Sequence, residues 1–257
     1  MKKIRAGMGL GDALYLQSVV RHLVGKGERL AVACEWPDVF RPLGDAVKMV
    51  PFSRQGINIL AHYSLRKGKP ETNQFQDCCI QAGIREPVEM RMDWTATNLR
   101  LIDHLQSFGK PILCVQLPRA PMGRADGFGA ELLPDCGVIQ DALNLLLAKY
   151  LIVQIGSGKP LYEFDGIHID LANRTTVSDL LDVASVADAF LGYCSFIVPL
   201  AESFDKPCFL VWSSRGLRSS QPFISRITPS KIISKPTTRW IRDDQPERLP
   251  EALHDFL

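Results

Sequence analysis

The chain has 257 residues, with 30 Lys and Arg against 28 Asp and Glu, for a formal charge of +2 at pH 7. Hydrophobic residues make up 46% and charged residues 23%, which excludes a disordered chain. The near-balance provides no whole-protein basic field for a polyanion, and the length allows one large domain or two of roughly 100–150 residues each.

No run reaches the roughly 18 apolar residues that span a bilayer. Lys2 and Lys3 precede an apolar start, but Arg5 and Asp12 interrupt it and no small-residue cleavage site follows, so the start reads as folded protein. A strand is expected over residues 3–6, then the glycine-rich turn Gly7-Met8-Gly9-Leu10-Gly11-Asp12. Ala13, Leu14, Leu16, Val19, Val20 and Leu23 recur at helical spacing behind it, and Gly25 and Gly27 end the helix. The apolar run 30–34 and the segment 47–51 read as strands, residues 54–75 show no clear pattern, and helices are expected over 76–82 and 99–108.

Gly109-Lys110-Pro111 marks a break, after which the pattern restarts. Strands are expected over 112–117, 150–155, 167–171, 189–192 and 208–212, with helices over 138–149, 177–185, 198–204 and 250–256. Strands alternating with helices imply mostly parallel sheets, and two such runs imply two α/β domains, 1–109 and 110–257. Ligands of such sheets bind at the carboxyl ends of the strands, so the chemistry is expected on loops 7–12, 118–134, 156–159, 173–176 and 193–199.

The seven cysteines are odd in number, and Cys34, Cys114 and Cys208 lie in apolar runs with no CxxC pair, which fits reduced core thiols and a cytoplasmic chain. The five histidines are scattered, and no metal-ligand spacing appears.

Gly7, Gly9 and Gly11 let backbone approach a ligand, and the helix start behind them can hold an anion. Asp12 stands where a dinucleotide fingerprint needs its third glycine, which argues against pyrophosphate there, although Glu35 resembles that fingerprint's ribose-binding acid. Asp12 reads either as a helix-start acid or as a carboxylate presented to a cleft as a general base. Gly156-Ser157-Gly158-Lys159 lacks a following Ser or Thr because Pro160 stands there, so a P-loop is excluded. Arg119 and Arg124 sit in a Gly/Pro-rich strand-exit loop, which suits either a solvated loop or bidentate binding of phosphate.

Asp170-Leu171-Ala172-Asn173-Arg174-Thr175-Thr176-Val177 is followed by Ala187-Asp188-Ala189-Phe190-Leu191-Gly192-Tyr193-Cys194-Ser195, then Pro199-Leu200-Ala201 and Lys206-Pro207 before an apolar run. In this order, and with Gly11-Asp12-Ala13-Leu14 near the start, the chain resembles the ADP-heptose:lipopolysaccharide heptosyltransferase family. The resemblance implies an α/β protein of GT-B type, with two Rossmann-like domains facing each other across a cleft. It implies an inverting, metal-independent glycosyltransferase without a cofactor, moving a sugar from a nucleotide-sugar to a hydroxyl of a glycan or lipopolysaccharide-type acceptor. Asp12 would be the base, and Gly9 and Gly11 would shape its loop. Arg119, Arg124, Gly156, Thr175, Thr176 and Ser195 would face the donor. Thr175 and Thr176 read equally as a cap for the following helix.

The chain departs from the family pattern where Cys194, Phe196 and Pro199 replace its aspartate, glycine and histidine. Pro199 also removes an N–H donor from that helix start. A non-catalytic binding protein of the same fold is therefore a second expectation. A third is a sugar transferase acting on modified DNA bases, with Arg215, Arg218, Arg226, Lys231, Lys235, Arg239, Arg242 and Trp240 of the tail contacting phosphates. A solvated face is the alternative for that tail, and Arg54, Arg66, Lys67 and Lys69 form a second local basic group.

Overall fold

The computed structural model describes residues 1–53, 55–61, 72–120, 130–222 and 224–256. Arg124 and the group Arg54, Arg66, Lys67 and Lys69 lie outside the described residues.

The first unit runs β1 (Lys2–Arg5), α1 (Leu10–Gly25), β2 (Leu30–Ala33), β3 (Val47–Val50) and β4 (Ile59–Leu60). These strands form a parallel sheet in the order β3-β2-β1-β4. The Leu-Ala-Val-Ala run of β2 is buried at every residue, as expected for a strand covered on both faces. Every α1 residue from Ala13 to Val20 is buried. A helix so widely apolar must be covered on more than one side. Ile4, Leu30 and Val32 of the sheet share its buried cluster, and a helix from the second half packs against it. The chain continues through α2 (Gln74–Gln81), capped by Asn73, and α3 (Leu99–Gln106), capped by Asn98.

From residue 112 the chain runs β5 (Ile112–Gln116), β6 (Arg119–Ala120), α4 (Cys136–Leu146), β7 (Leu151–Ile155), β8 (Lys159–Pro160), β9 (Ile169–Asp170) and α5 (Val177–Val186). It continues through β10 (Ala189–Gly192), α6 (Ile197–Ser203), β11 (Cys208–Trp212), α7 (Ser214–Leu217), α8 (Pro229–Ile232), β12 (Thr238–Arg242) and α9 (Leu249–Ala252). The main sheet is parallel, in the order β12-β11-β10-β5-β7-β9. The chain steps outward from β5 in both directions, so the strand order reverses between β5 and β10. β6 and β8 form a separate antiparallel pair. Trp212, Phe190 and Phe209 are fully buried, each burial contributing about 2–3 kcal/mol. None of the seven cysteines forms a disulfide.

The structure departs from the sequence expectations at the C-terminus. The tail contains β12, an edge strand hydrogen-bonded to β11, where no strand is legible. Its Thr-Arg-Trp-Ile-Arg sequence has only Thr238 and Ile241 buried, so it lacks the apolar run that marks the central strands. The helix expected over 250–256 is shorter, α9 followed by a 3-10 turn at His254–Phe256.

Two buried carboxylates pin chain segments that cross between the halves. Asp182 on α5 accepts hydrogen bonds from Trp94 Nε1 (2.6 Å), Asn98 N (2.6 Å), Thr97 Oγ1 (3.0 Å) and Thr97 N (3.1 Å). Burial alone would raise its pKa, but these donors outweigh burial and hold the carboxyl below its ordinary value. Glu202 on α6 accepts from Ser234 N (2.9 Å), Lys235 N (3.1 Å) and Thr238 Oγ1 (3.2 Å), and also from the Ser234 hydroxyl. Here burial dominates and pushes the carboxyl up. Just before Ser234, the tail reaches the first unit: Lys231 Nζ donates to Thr72 O (2.9 Å) and Tyr15 Oη donates to Ile232 O (3.3 Å).

Asp182→Ala should destabilise the protein by about 3 kcal/mol, because it leaves the Trp94 and Asn98 donors unpaired inside the fold. The folded pKa of Asp182 is lowered, so its contribution is complete above the ordinary carboxylate range and is lost as pH falls through the folded value. Urea melts of wild type and variant should differ most at neutral pH and converge in acid.

Candidate functional site

The starts of α1 and α6 meet. A Cβ on Gly11 would lie 3.4 Å from Pro199 Cγ and 3.5 Å from Phe196 Cα, ordinary contact that leaves no room for a larger group. A cavity of about 220 Å³ opens beside this contact. Gly9, Gly11, Asp12 and Tyr15 border it from the first unit, Gln74 from α2, and Cys194, Ser195, Phe196 and Pro199 from the turn into α6. Leu132, Ile227 and Ile232 complete the wall.

Asp12 is a helix-start acid that also borders the cavity. Its carboxylate accepts the Gly9 N–H at 3.1 Å, closing the start of α1. The loop ahead of it is fixed by Trp36, whose indole N–H donates to Met8 O at 2.8 Å. Ser195 lies at the carboxyl end of β10, where the strand order reverses and α/β sheets bind ligands. Its hydroxyl donates to Gln116 Oε1 and also lies 3.1 Å from Tyr193 O, and it accepts from Ile197 N at 3.4 Å. Burial pushes the Tyr193 hydroxyl up to about 12. Burial likewise raises the Cys194 thiol to about 12, so it stays protonated near neutral pH.

The remaining expected residues lie elsewhere. Arg119 is 8% exposed and turned into the protein. Its guanidinium donates to Gly158 O at 2.7 Å, reaches the Gln154 carboxamide, and lies 3.9 Å from Asp170. It therefore ties strand-exit loops together. Gly158 (φ +101°) packs against the Ala120 carbonyl, and Asn173 bonds both backbone groups of Gly158. Gly156 (φ +115°) accepts from Asn173 N at 2.9 Å within the same knot. Thr176 is the N-cap of α5, bonded reciprocally to Asp179. Thr175 Oγ1 reaches Leu171 O at 3.5 Å. Neither threonine borders the cavity.

The basic tail is engaged within the protein. Arg215 donates to Leu133 O, Arg218 and Arg242 to Asp244, Lys231 to Thr72 O and Lys235 to Asp205. Arg226 and Arg239 also have partners. Tyr15, Gln74, Gln116 and the Ile227–Ile232 wall are absent from the sequence expectations. Gln116, near the end of an expected strand, carried a signal for its place. Gln74 carried none, because nothing in a polar stretch shows that the fold brings it to Asp12.

No protein-family model matches the sequence, and no curated protein matches it. Solved structures do match. The chain aligns over 99% of its length with 98% of E. coli ADP-heptose LPS heptosyltransferase II, with a TM-score of 0.58 and 14% identity. It aligns over 99% with 96% of a glycosyl transferase family 9 protein from Veillonella parvula, with a TM-score of 0.66 and 8% identity. The fold is that of the heptosyltransferases. It also matches TibC, an iron-containing dodecameric heptosyltransferase determined with ADP-D-β-D-heptose, with a TM-score of 0.57 and 15% identity. That alignment covers 92% of this chain and 61% of TibC, so the chain spans about three-fifths of TibC's length.

The parallel α/β sheets agree with the fold that the motif resemblance implies, and Gly11, Asp12 and Ser195 border one cavity. Among the described residues no group of three or more His, Cys, Asp or Glu is placed to hold a metal ion.

Gly158→Ala should lower stability by about 2 kcal/mol or more, since both the positive φ and the Ala120 carbonyl oppose a Cβ. Gly11→Ala should cost less than about 1 kcal/mol, and Gly11→Leu clearly more, because only a methyl fits against Pro199. Thermal melts of the three variants check this order.

Proposed function

We propose that the chain is an inverting glycosyltransferase that moves a sugar from a nucleotide-sugar to an acceptor hydroxyl. The acceptor is a glycan or lipopolysaccharide-type molecule. The observation that carries this is the Asp12 carboxylate on a cavity shared with Ser195, at the reversal point of a heptosyltransferase fold. The proposed domains are 1–109 for the acceptor and 110–257 for the donor, meeting at that cavity.

In this reading the acceptor oxygen attacks the anomeric carbon from the face opposite the nucleoside diphosphate. Asp12 takes the hydroxyl proton as the new C–O bond forms. The bond to the diphosphate breaks, and its electron pair leaves with the nucleotide. The Ser195 turn and Arg124 would stabilise that departing charge, with Gly156, Thr175 and Thr176 on the donor side. Arg119, already saturated by protein acceptors, would contribute by holding those loops in place. No step in this reading requires a resident metal.

One observation favours a second reading, a binding protein of this fold without transfer. The start of α6 carries Phe196 and Pro199, is covered by Gly11, and has its Ile197 N–H already engaged by Ser195. Little of that helix start is left to receive a diphosphate. Carboxylates already pair Arg218, Arg242 and Lys235 of the tail, which weighs against the DNA reading.

Screening UDP-, ADP-, GDP- and CMP-sugars by thermal shift and hydrolysis separates the two. A donor that is bound and hydrolysed supports transfer, and binding without turnover supports the second reading. Asp12→Asn should retain donor binding and reduce transfer by at least about 100-fold. A folded Asp12→Asn protein with wild-type transfer would remove Asp12 from the mechanism.

A further inference from the structure

We infer that Gln74 is a specificity-determining residue that reads the hydroxyl groups of a single sugar ring held in the cavity beside Asp12. This rests on the preceding reading of that cavity as the place where an acceptor hydroxyl meets Asp12.

Gln74 is 7% exposed, borders the cavity, and its carboxamide has no hydrogen-bond partner among the described residues. The side chain is held in a largely buried position that opens on the cavity, so its carboxamide is available to a ligand there. The start of α2 does not use it. Asn73 and Gln76 close that helix end between themselves, at 2.8 and 3.0 Å. Its position is nonetheless fixed, because the neighbouring Phe75 ring stacks on Tyr15 of α1 with centroids 6.1 Å apart.

The chemistry of the cavity narrows the ligand. A carboxamide offers one acceptor and two donors on a planar group, which suits adjacent hydroxyls that each donate and accept. Asp12 adds an acceptor for a further hydroxyl. Phe196, Pro199 and Ile232 present apolar surface, which suits the C–H face of a pyranose. The described wall includes no lysine or arginine, so it favours a neutral hydroxylated ring over a phosphate. At about 220 Å³ the space is below the roughly 300–1,000 Å³ of sites for drug-sized ligands, which fits one ring.

Saturation-transfer NMR on the full chain tests this, using methyl α-D-glucopyranoside, mannopyranoside and galactopyranoside, with ADP, UDP, GDP and CMP run in parallel. At least one glycoside should bind wild type. Gln74→Leu should weaken it at least tenfold while leaving nucleotide binding and the melting temperature unchanged. Gln74→Glu keeps the shape, loses the N–H donors, and should also weaken the glycoside, which covers the case that the leucine variant fails to fold. Wild-type glycoside affinity in either folded variant overturns the assignment. Binding of a nucleotide but of no glycoside overturns it too, and leaves the transferase reading intact. Gln74-dependent glycoside binding without any nucleotide binding upholds the assignment and removes the proposed donor chemistry.

Discussion

The cavity exists because two helix starts approach within contact of one another. Gly11, lacking a side chain, lets the first turn of α1 rest on Phe196 and Pro199 of α6. That contact sets how far Asp12 stands from Ser195 and closes one wall of the space between them. A larger residue at position 11 would push the two starts apart and move both side chains together. Proline at 199 suits the contact, since its ring packs against Gly11.

Two buried carboxylates keep that approach in register. Asp182 holds the segment 94–98 as the chain leaves the first unit, and Glu202 holds the segment 234–238 as it returns to the second. Their electrostatics differ in sign. Asp182 gathers enough strong donors to keep its carboxyl below its ordinary value, whereas burial wins at Glu202. Acidification therefore removes stabilisation at Asp182, while it relieves the cost of a buried charge at Glu202. Between these anchors, Ile227 and Ile232 form a wall of the cavity, so the returning tail belongs to the site.

Much of the architecture was legible. The apolar runs of β2, β5, β7, β10 and β11 are buried at every residue, and such runs announce themselves without knowledge of their neighbours. Gly11-Asp12 and Ser195 were legible as strand-exit residues. β12 was not, because an edge strand with one wet face carries a weak pattern. The arginines were half legible: position 119 was marked as important, but its direction, into the Gly158 knot, depends on a neighbour 39 residues away. The tail's charge likewise read as a surface feature, and its partners Asp205 and Asp244 could be matched to it only in three dimensions.

By itself, the sequence determined the local periodicities, the strand–helix alternation, the capping at Thr176 and the glycine-rich turn at Asp12, since each depends on residues a few positions apart. Tertiary structure alone decided that Gln74 borders the same cavity as Asp12, that Arg119 turns inward, and that α1 covers the start of α6. These depend on contacts between residues from 39 to 188 positions apart, and such contacts are set by which faces pack together when the whole apolar surface is buried at once.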